Sequence, residues 1–267
     1  MGGDAKLGSM AELRAGVEAG LLGSVVPAAA VAVETFTDDL EAVLFPAEEA
    51  LLARAVEKRR REFTTGRVCA RRALTRLGVA PGPLLPGPQR EPLWPAGIVG
   101  SITHTDGYRA AVVAWDRDLV SVGIDAEPNG PTPEGVFERV SLPSERAWAD
   151  AAARRAPEVH WDRLLFCAKE SVYKTWFPLA RRWLGFEEAE ITLTDDGTAG
   201  APGTTAGVPG TSADAARAGT ARTGGFSARL LVPGPTLPDG TRLTTLAGRF
   251  VVDRGLIVTA ITLGEAA

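Results

Sequence analysis

Three short runs of apolar and β-branched residues, Ile98–Thr103, Ala110–Trp115 and Val120–Asp125, follow one another with only short connections between them, the first holding Asp106-Gly107. Runs of this length bounded by turn residues and joined by short connections read as strands of a compact sheet core. Ahead of them, Leu51, Leu52, Val56, Phe63, Val68, Ala70, Ala73 and Leu74 recur at roughly helical spacing between Pro46 and Leu77, which predicts one long helix or two abutting ones, interrupted near Thr64–Gly66. Gly78 closes this helix, and the turn-rich stretch Pro81–Pro95 crosses to the sheet. The second half repeats the theme, with helical patterns at Pro143–Arg155 and His160–Phe177 and strands expected at Ala189–Leu193, Phe226–Val232, Arg249–Val252 and Leu256–Leu263. The expectation is an α+β protein of two helix-plus-antiparallel-sheet halves, 1–119 and 120–267, with a ligand cleft between them. Residues 196–224 are rich in Gly, Ala, Thr and Pro and cannot bury enough surface to order themselves, so a mobile insertion is expected there. Residues 1–30, rich in Gly and Ala, are expected to begin with a frayed segment, and Met10 offers a second initiator.

Composition removes several function classes. The 267 residues carry a net charge of −4, which leaves no electrostatic footprint for nucleic acid over the whole chain. The local run Lys58, Arg59, Arg60, Arg61 is nevertheless strongly basic. Cys69 and Cys167 fall in segments that read as helices and lack metal-ligand spacing, so neither a disulfide framework nor a zinc site is expected. No apolar run approaches the roughly 20 residues that span a bilayer, and no basic-then-apolar leader is evident, so the expected location is the cytoplasm, off the membrane. Of the 29 basic residues only Lys6, Lys58, Lys169 and Lys174 are lysine. Against that arginine background the close pair Lys169 and Lys174 draws notice.

Four constellations carry chemistry. Gly123-Ile124-Asp125-Ala126-Glu127-Pro128 ends a strand in two carboxylates one residue apart, and strand alternation sends both the same way. Two hard oxygen ligands there suit Mg²⁺, which keeps several waters and completes its shell with phosphate oxygens; the bland alternative is a solvated strand end. In the helix Trp161–Trp176, Glu170 and Lys174 are i,i+4 neighbours, either a surface ion pair or a carboxylate for metal or proton beside a cation for a phosphate. Arg59 and Arg67 lie eight residues apart, close to two helical turns, so one face would stack guanidinium groups suited to phosphate, with Gly66 allowing close ligand approach; a solvated basic face is the alternative. Gly100-Ser101-Ile102-Thr103-His104 offers two hydroxyls and one of only two histidines at a strand end.

In this order, basic helix, Ser-x-Thr-His, Gly-x-Asp-x-Glu and Lys-Glu-x-x-x-Lys, the chain resembles the Sfp-type 4'-phosphopantetheinyl transferases, especially actinobacterial members related to the enterobactin-synthase type. The resemblance runs from about Pro46 to the C-terminus outside the Gly/Ala-rich insertion, and is densest over Glu62–Leu74, Val99–Gly107, Ser121–Pro128 and His160–Gly185. It implies two similar halves related by a pseudo-twofold axis, coenzyme A bound in the cleft between them, and a monomer. It implies that Asp125, Glu127 and Glu170 hold Mg²⁺, for which Mn²⁺ can substitute, and that Lys174, with help from Lys169, steadies the phosphate. Arg59, Arg67, Arg90, Thr103 and His104 are the implied coenzyme A contacts, and Trp176, Phe177 and Trp183 would flank the pantetheine channel. Glu170 or a metal-bound water would take the proton of the acceptor serine, on an apo acyl or peptidyl carrier protein. A magnesium-dependent nucleotide hydrolase is the rival enzyme class, although no Walker loop is present. A non-catalytic carrier-protein or coenzyme A binding module is the rival of another kind, and it would have no use for the carboxylates.

Overall fold

A computed structural model of the chain describes residues 20–198 and 221–264. The expected frayed start up to residue 19 and the interior of the expected insertion lie outside the described residues. In chain order the elements are β1 (Val31–Thr35), α1 (Pro46–Glu49), α2 (Glu57–Arg76), β2 (Ile98–Thr105), β3 (Tyr108–Trp115), β4 (Leu119–Pro128), α3 (Val136–Val140), α4 (Pro143–Arg155), α5 (Trp161–Ala180), β5 (Ala189–Thr198), β6 (Arg222–Leu230), β7 (Thr245–Asp253) and β8 (Leu256–Gly264). They form two antiparallel sheets, ordered β1-β3-β2 and β4-β8-β7-β6-β5.

The repeated theme is literal in the topology. A strand, a twenty-residue helix and a hairpin occur as β1, α2, β2, β3 and again as β4, α5, β7, β8, and in both sheets the first strand pairs with the last. Strands β5 and β6 widen the second copy at its edge. Even the loop before each hairpin repeats: Pro86 bridges Pro92 in one half and Thr236 bridges Arg242 in the other. The same turn bond closes both, Arg90 N–H to Gly87 O at 3.0 Å and Gly240 N–H to Leu237 O at 2.9 Å.

Each half also repeats a buried carboxylate. Glu48, third residue of α1 after Pro46, accepts from the backbone N–H groups of Phe45 and Leu84 and from Arg71 of α2. Glu145, third residue of α4 after Pro143, accepts from the N–H groups of Leu142 and Ile191 and pairs with Lys169 of α5 at 2.8 Å. Each carboxylate satisfies orphan donors at its own helix start while tying down the long helix of its half.

Three apolar clusters follow. Helix α2 packs Cys69, Ala70, Ala73 and Leu74 against Val33, Ala111 and Val113 of the smaller sheet. Helices α4 and α5 pack against the inner face of the larger sheet, with Trp176, Leu164 and Phe250 fully buried. The third cluster joins the halves, setting Tyr108, Ala110 and Val112 of β3 against Val122, Ile124, Val258 and Ala260. Strand β3 is therefore covered on both faces, which is why it reads as a continuous rather than alternating apolar run.

Four details differ from the sequence reading. Helix α2 runs unbroken through Thr64–Gly66; the break lies upstream, where a 3₁₀ turn at Ala50–Leu52 precedes it. Gly66 serves packing rather than a ligand, since a Cβ there would stand 3.3 Å from Ile102 of β2. Strands β5 and β6 continue into 196–198 and 222–224, where an insertion was expected. The glycines there fit a strand because Gly224 passes so close to Thr194 O and the Phe250 ring that a Cβ would meet both. Strand β1 lies in a segment whose Gly/Ala-rich surroundings hide its short alternation.

Candidate active site

Strand β4 leaves the larger sheet beside β2 of the smaller one, and the two are joined by hydroxyls instead of backbone pairs. Ile124 N–H donates to Ser101 Oγ and Ala126 N–H donates to Thr103 Oγ1, each at 3.1 Å. These two side chains satisfy an outward edge that would otherwise bury unpaired donors.

On its other side β4 carries α5 at unusually close range. A Cβ on Gly123 would fall 2.3 Å from Ser171 O and 2.4 Å from Thr175 Oγ1, so only glycine lets the helix approach here. That approach sets Glu170 and Lys174 of α5 beside Asp125, two residues on from Gly123 and on the same face of the strand. Lys174 Nζ donates to Asp125 Oδ1 at 2.7 Å and to Ile124 O at 3.0 Å. Burial works against the Lys174 charge, but the Asp125 carboxylate outweighs it and holds the ammonium above its ordinary range. Thr103 Oγ1 also donates to Asp125 Oδ1, at 3.1 Å. Asp125 Oδ2, by contrast, is buried and has no hydrogen-bond partner. An ionised oxygen left in that state is costly and marks where a positive group belongs.

Two more carboxylates border this point. Glu127 accepts at Oε2 from Arg163 Nη1 at 3.0 Å; burial and then the Asp125 charge push it above the usual carboxylate range, against the pull of Arg163. Glu170, half-buried, is raised by burial and by Asp125 and lowered by Lys174. Among the described residues no three of His, Cys, Asp and Glu converge closely enough to enclose an ion by themselves. The three carboxylates border the site rather than cage it.

Arg59 and His104 are brought together, with Arg59 Nη1 2.9 Å from His104 Nε2 and Glu62 3.7 Å from Nδ1. Burial, with Arg59 and Lys174 adding to it against Glu62, depresses the His104 pKa; a neutral ring accepting from Arg59 fits that environment. Between β2 and α5 lies a cleft of about 520 Å³ walled by Glu170, Tyr173, Lys174 and Phe177 on one side and by Ile98–Ile102 of β2 with the loop Gln89–Trp94 on the other; Arg59 and His104 lie outside its lining. Arg90 lines it, and does so at φ 67°, where its counterpart in the second half is Gly240 at φ 84°.

Other expected contacts go elsewhere. Arg67 is buried against the Phe63 ring, donates Nε to Leu84 O at 3.0 Å and lies 4.0 Å from Glu48; burial brings its pKa to about 10. It is packed into its own half and does not stack with Arg59 toward a ligand. Lys169 is buried on Glu145, Phe186 O and Ala189 O, so its ammonium has no donor left for a phosphate. Thr103 spends its hydroxyl on Asp125 and Ala126 and acts by holding the carboxylate. Trp176 is core, Phe177 lines the cleft, and Trp183 is exposed, its ring 4.9 Å from that of Tyr173 and tilted 52° to it. Most of the remaining basic run on α2 is spent on ion pairs, Lys58 with Asp106, Arg60 with Glu49 and Arg61 with Glu57. Arg163, Glu145, Ser101 and Gly123 shape the site and were not singled out from sequence for these roles. Arg163, Glu145 and Ser101 act through partners distant in the chain, which periodicity does not register.

The architecture is a duplicated two-sheet α+β fold with a cleft between its halves, lined by Glu170 and Lys174 next to the buried Asp125. The description "4'-phosphopantetheinyl transferase N-terminal domain" matches residues 47–114, and "4'-phosphopantetheinyl transferase superfamily" matches residues 121–207. The chain is 50% identical over 250 residues to the 4'-phosphopantetheinyl transferase Svp of Streptomyces mobaraensis, covering 92% of this chain and 91% of that one. It is 47% identical over 247 residues to the 4'-phosphopantetheinyl transferase PptT of Mycobacterium tuberculosis, covering 91% and 98%. Similarity to enterobactin synthase component D of Salmonella typhi is more distant, 36% over 141 residues, or 53% of this chain and 58% of that one. The chain belongs to the 4'-phosphopantetheinyl transferase family, and is an enzyme of the transferase class.

Proposed function

We propose that this chain moves the 4'-phosphopantetheine group of coenzyme A onto a serine of apo acyl and peptidyl carrier proteins of polyketide, nonribosomal-peptide or fatty-acid synthases, releasing adenosine 3',5'-bisphosphate. It works in the cytoplasm as a monomer, meets its carriers transiently, and serves secondary metabolism; no described helix is long and apolar enough to cross a membrane. The observation that carries the reading is that Glu170 and Lys174 line the cleft between the halves while Lys174 is paired with the buried Asp125 just behind it.

Magnesium fits this donor set. Asp125 Oδ2 is a buried carboxylate oxygen without a partner, and Asp125 makes the neighbouring charges of Glu127 and Glu170 costly. Mg²⁺ commonly takes one or two carboxylates and fills its shell with water and phosphate oxygens, so an open border of this kind suits it. Asp125, Glu127 and Glu170 would hold it, or Mn²⁺ in its place, and when bound it would supply positive charge to the pyrophosphate and the departing bisphosphate.

The protein's own residues do the rest. Lys174 spends two of its three donors on Ile124 O and Asp125, leaving one N–H for a phosphate oxygen as charge develops. Arg59 and His104 form a cationic edge for another phosphate, and Arg90 reaches the cleft from the opposite loop. Glu170 has its charge destabilised by burial and by Asp125, which raises its basicity toward the acceptor hydroxyl. Tyr173 and Phe177 wall the cleft and keep water from the reacting groups.

The test is intact-protein mass spectrometry of an apo carrier protein incubated with the enzyme, coenzyme A and Mg²⁺. A mass gain of one phosphopantetheine group that EDTA prevents is expected, with Asp125→Asn inactive though folded. Absence of the gain across acyl and peptidyl carriers, with coenzyme A still bound, would overturn the reading in favour of a binding module.

A further inference from the structure

We propose that Arg163 is a positioning residue that holds Glu127 aimed at the cation site; the inference rests on the magnesium reading above. Glu127 is the penultimate residue of β4, its last ladder pairs being with Ile257 and, through Pro128, with Leu256. A side chain at a strand end loses the restraint that the ladder gives its interior, so something else must fix its direction. Arg163 does this with three bonds: Nη1 to Glu127 Oε2 at 3.0 Å, Nε to Gly130 O at 3.3 Å and Nη2 to Pro131 O at 2.5 Å. A planar fork that reaches three acceptors along one stretch of chain is something arginine offers and lysine does not.

Neighbouring bonds stitch the same two segments. Thr132 donates its N–H and its hydroxyl to Asp162 Oδ2 at 2.8 and 2.6 Å. Asn129 donates to Glu158 O and accepts from His160 N–H. The exit of β4 is thus fixed to the start of α5, the helix that carries Glu170 and Lys174. Position argues for purpose as well. Arg163 is the third residue of α5, where the helix dipole disfavours a cation, so its charge is not there to support the helix. Among the described residues Glu127 Oε1 takes no hydrogen bond, while Oε2 is occupied by Arg163. A carboxylate held by one oxygen and open at the other is the arrangement that outer hydrogen-bond partners give to metal ligands.

The experiment is Mn²⁺ binding to the full chain, followed by electron paramagnetic resonance with coenzyme A present, for wild type, D125N, R163Q, R163K, E127Q and R163Q/E127Q. Loss of an outer partner weakens metal binding about 10- to 100-fold, so R163Q is expected to lose about tenfold or more, and the double variant no more than E127Q alone. Coenzyme A binding in EDTA should be unchanged in R163Q. If R163Q proves too unstable to assay, R163K decides, since it keeps the charge and loses the fork; a loss of about threefold or more is expected. Mn²⁺ affinity in R163Q, or in R163K where that decides, equal to or tighter than wild type while D125N and E127Q weaken it overturns the Arg163 proposal alone. Unchanged affinity in D125N and E127Q too overturns the magnesium reading and the proposal with it.

Discussion

At the scale of single residues, two positions show cost accepted at the site. Arg90 holds a left-handed backbone that the second half gives to Gly240, and a non-glycine residue there costs on the order of 1 kcal/mol. Arg90→Gly is therefore expected to raise unfolding stability by roughly 0.5–1 kcal/mol in urea titration while weakening coenzyme A binding by calorimetry. A loss of stability would show that the turn is not strained. His104 is the second case. Its pKa in the fold lies below the ordinary 6.5 because of burial, Arg59 and Lys174. The unfolded chain thus binds the proton first, so stability present above about pH 6.5 is lost as pH falls toward the folded value. Wild type should lose more urea-midpoint stability between pH 7.5 and 5.5 than His104→Gln, whose amide can still accept from Arg59. Equal losses would mean that the ring is not held neutral by its surroundings.

At the scale of elements, the sequence motifs were legible where chemistry is packed into consecutive residues and silent where it is assembled across the chain. The Gly-x-Asp-x-Glu strand end and the Glu170–Lys174 helix face follow from periods of two and 3.6, and the structure joins them through the Lys174–Asp125 pair, beside a cleft that Glu170 and Lys174 line. Lys169 shares that helix, but it points about 100° away from Glu170 into the Glu145 pocket, a contact spanning two elements that no local pattern encodes. The same holds for Arg67 with Leu84 and for Arg163 with Glu127. Removing Lys169 leaves Glu145 buried and short of its cation, which typically costs about 3 kcal/mol. Lys169→Met is expected to show that loss in denaturant unfolding, with the KM for coenzyme A little changed. In the double variant with Glu145→Gln the loss should be smaller than the sum of the singles. A large rise in KM at unchanged stability would return Lys169 to the ligand.

At the scale of the whole molecule, duplication explains why the cleft lies where it does. Two copies of one strand-helix-hairpin unit share an apolar core between their sheets, and the seam beside that core is β2 against β4. Because the seam is made by Ser101 and Thr103 hydroxyls, the joint between halves and the support of Asp125 are the same side chain, Thr103. Its hydroxyl accepts from Ala126 and donates to Asp125, so architecture and site cannot be altered separately here. Thr103→Val keeps the shape and removes both bonds, burying an unpaired N–H at a cost of about 1–3 kcal/mol and releasing Asp125 Oδ1 from one of its two donors. Thr103→Ser restores the hydroxyl and should recover most of the stability and the transfer rate. The comparison is made by urea unfolding and by carrier-protein mass gain on the same three proteins. If Thr103→Val is as stable and as active as wild type, the apolar core with the Ser101 bond suffices to hold the halves and Asp125 needs only Lys174 to orient it.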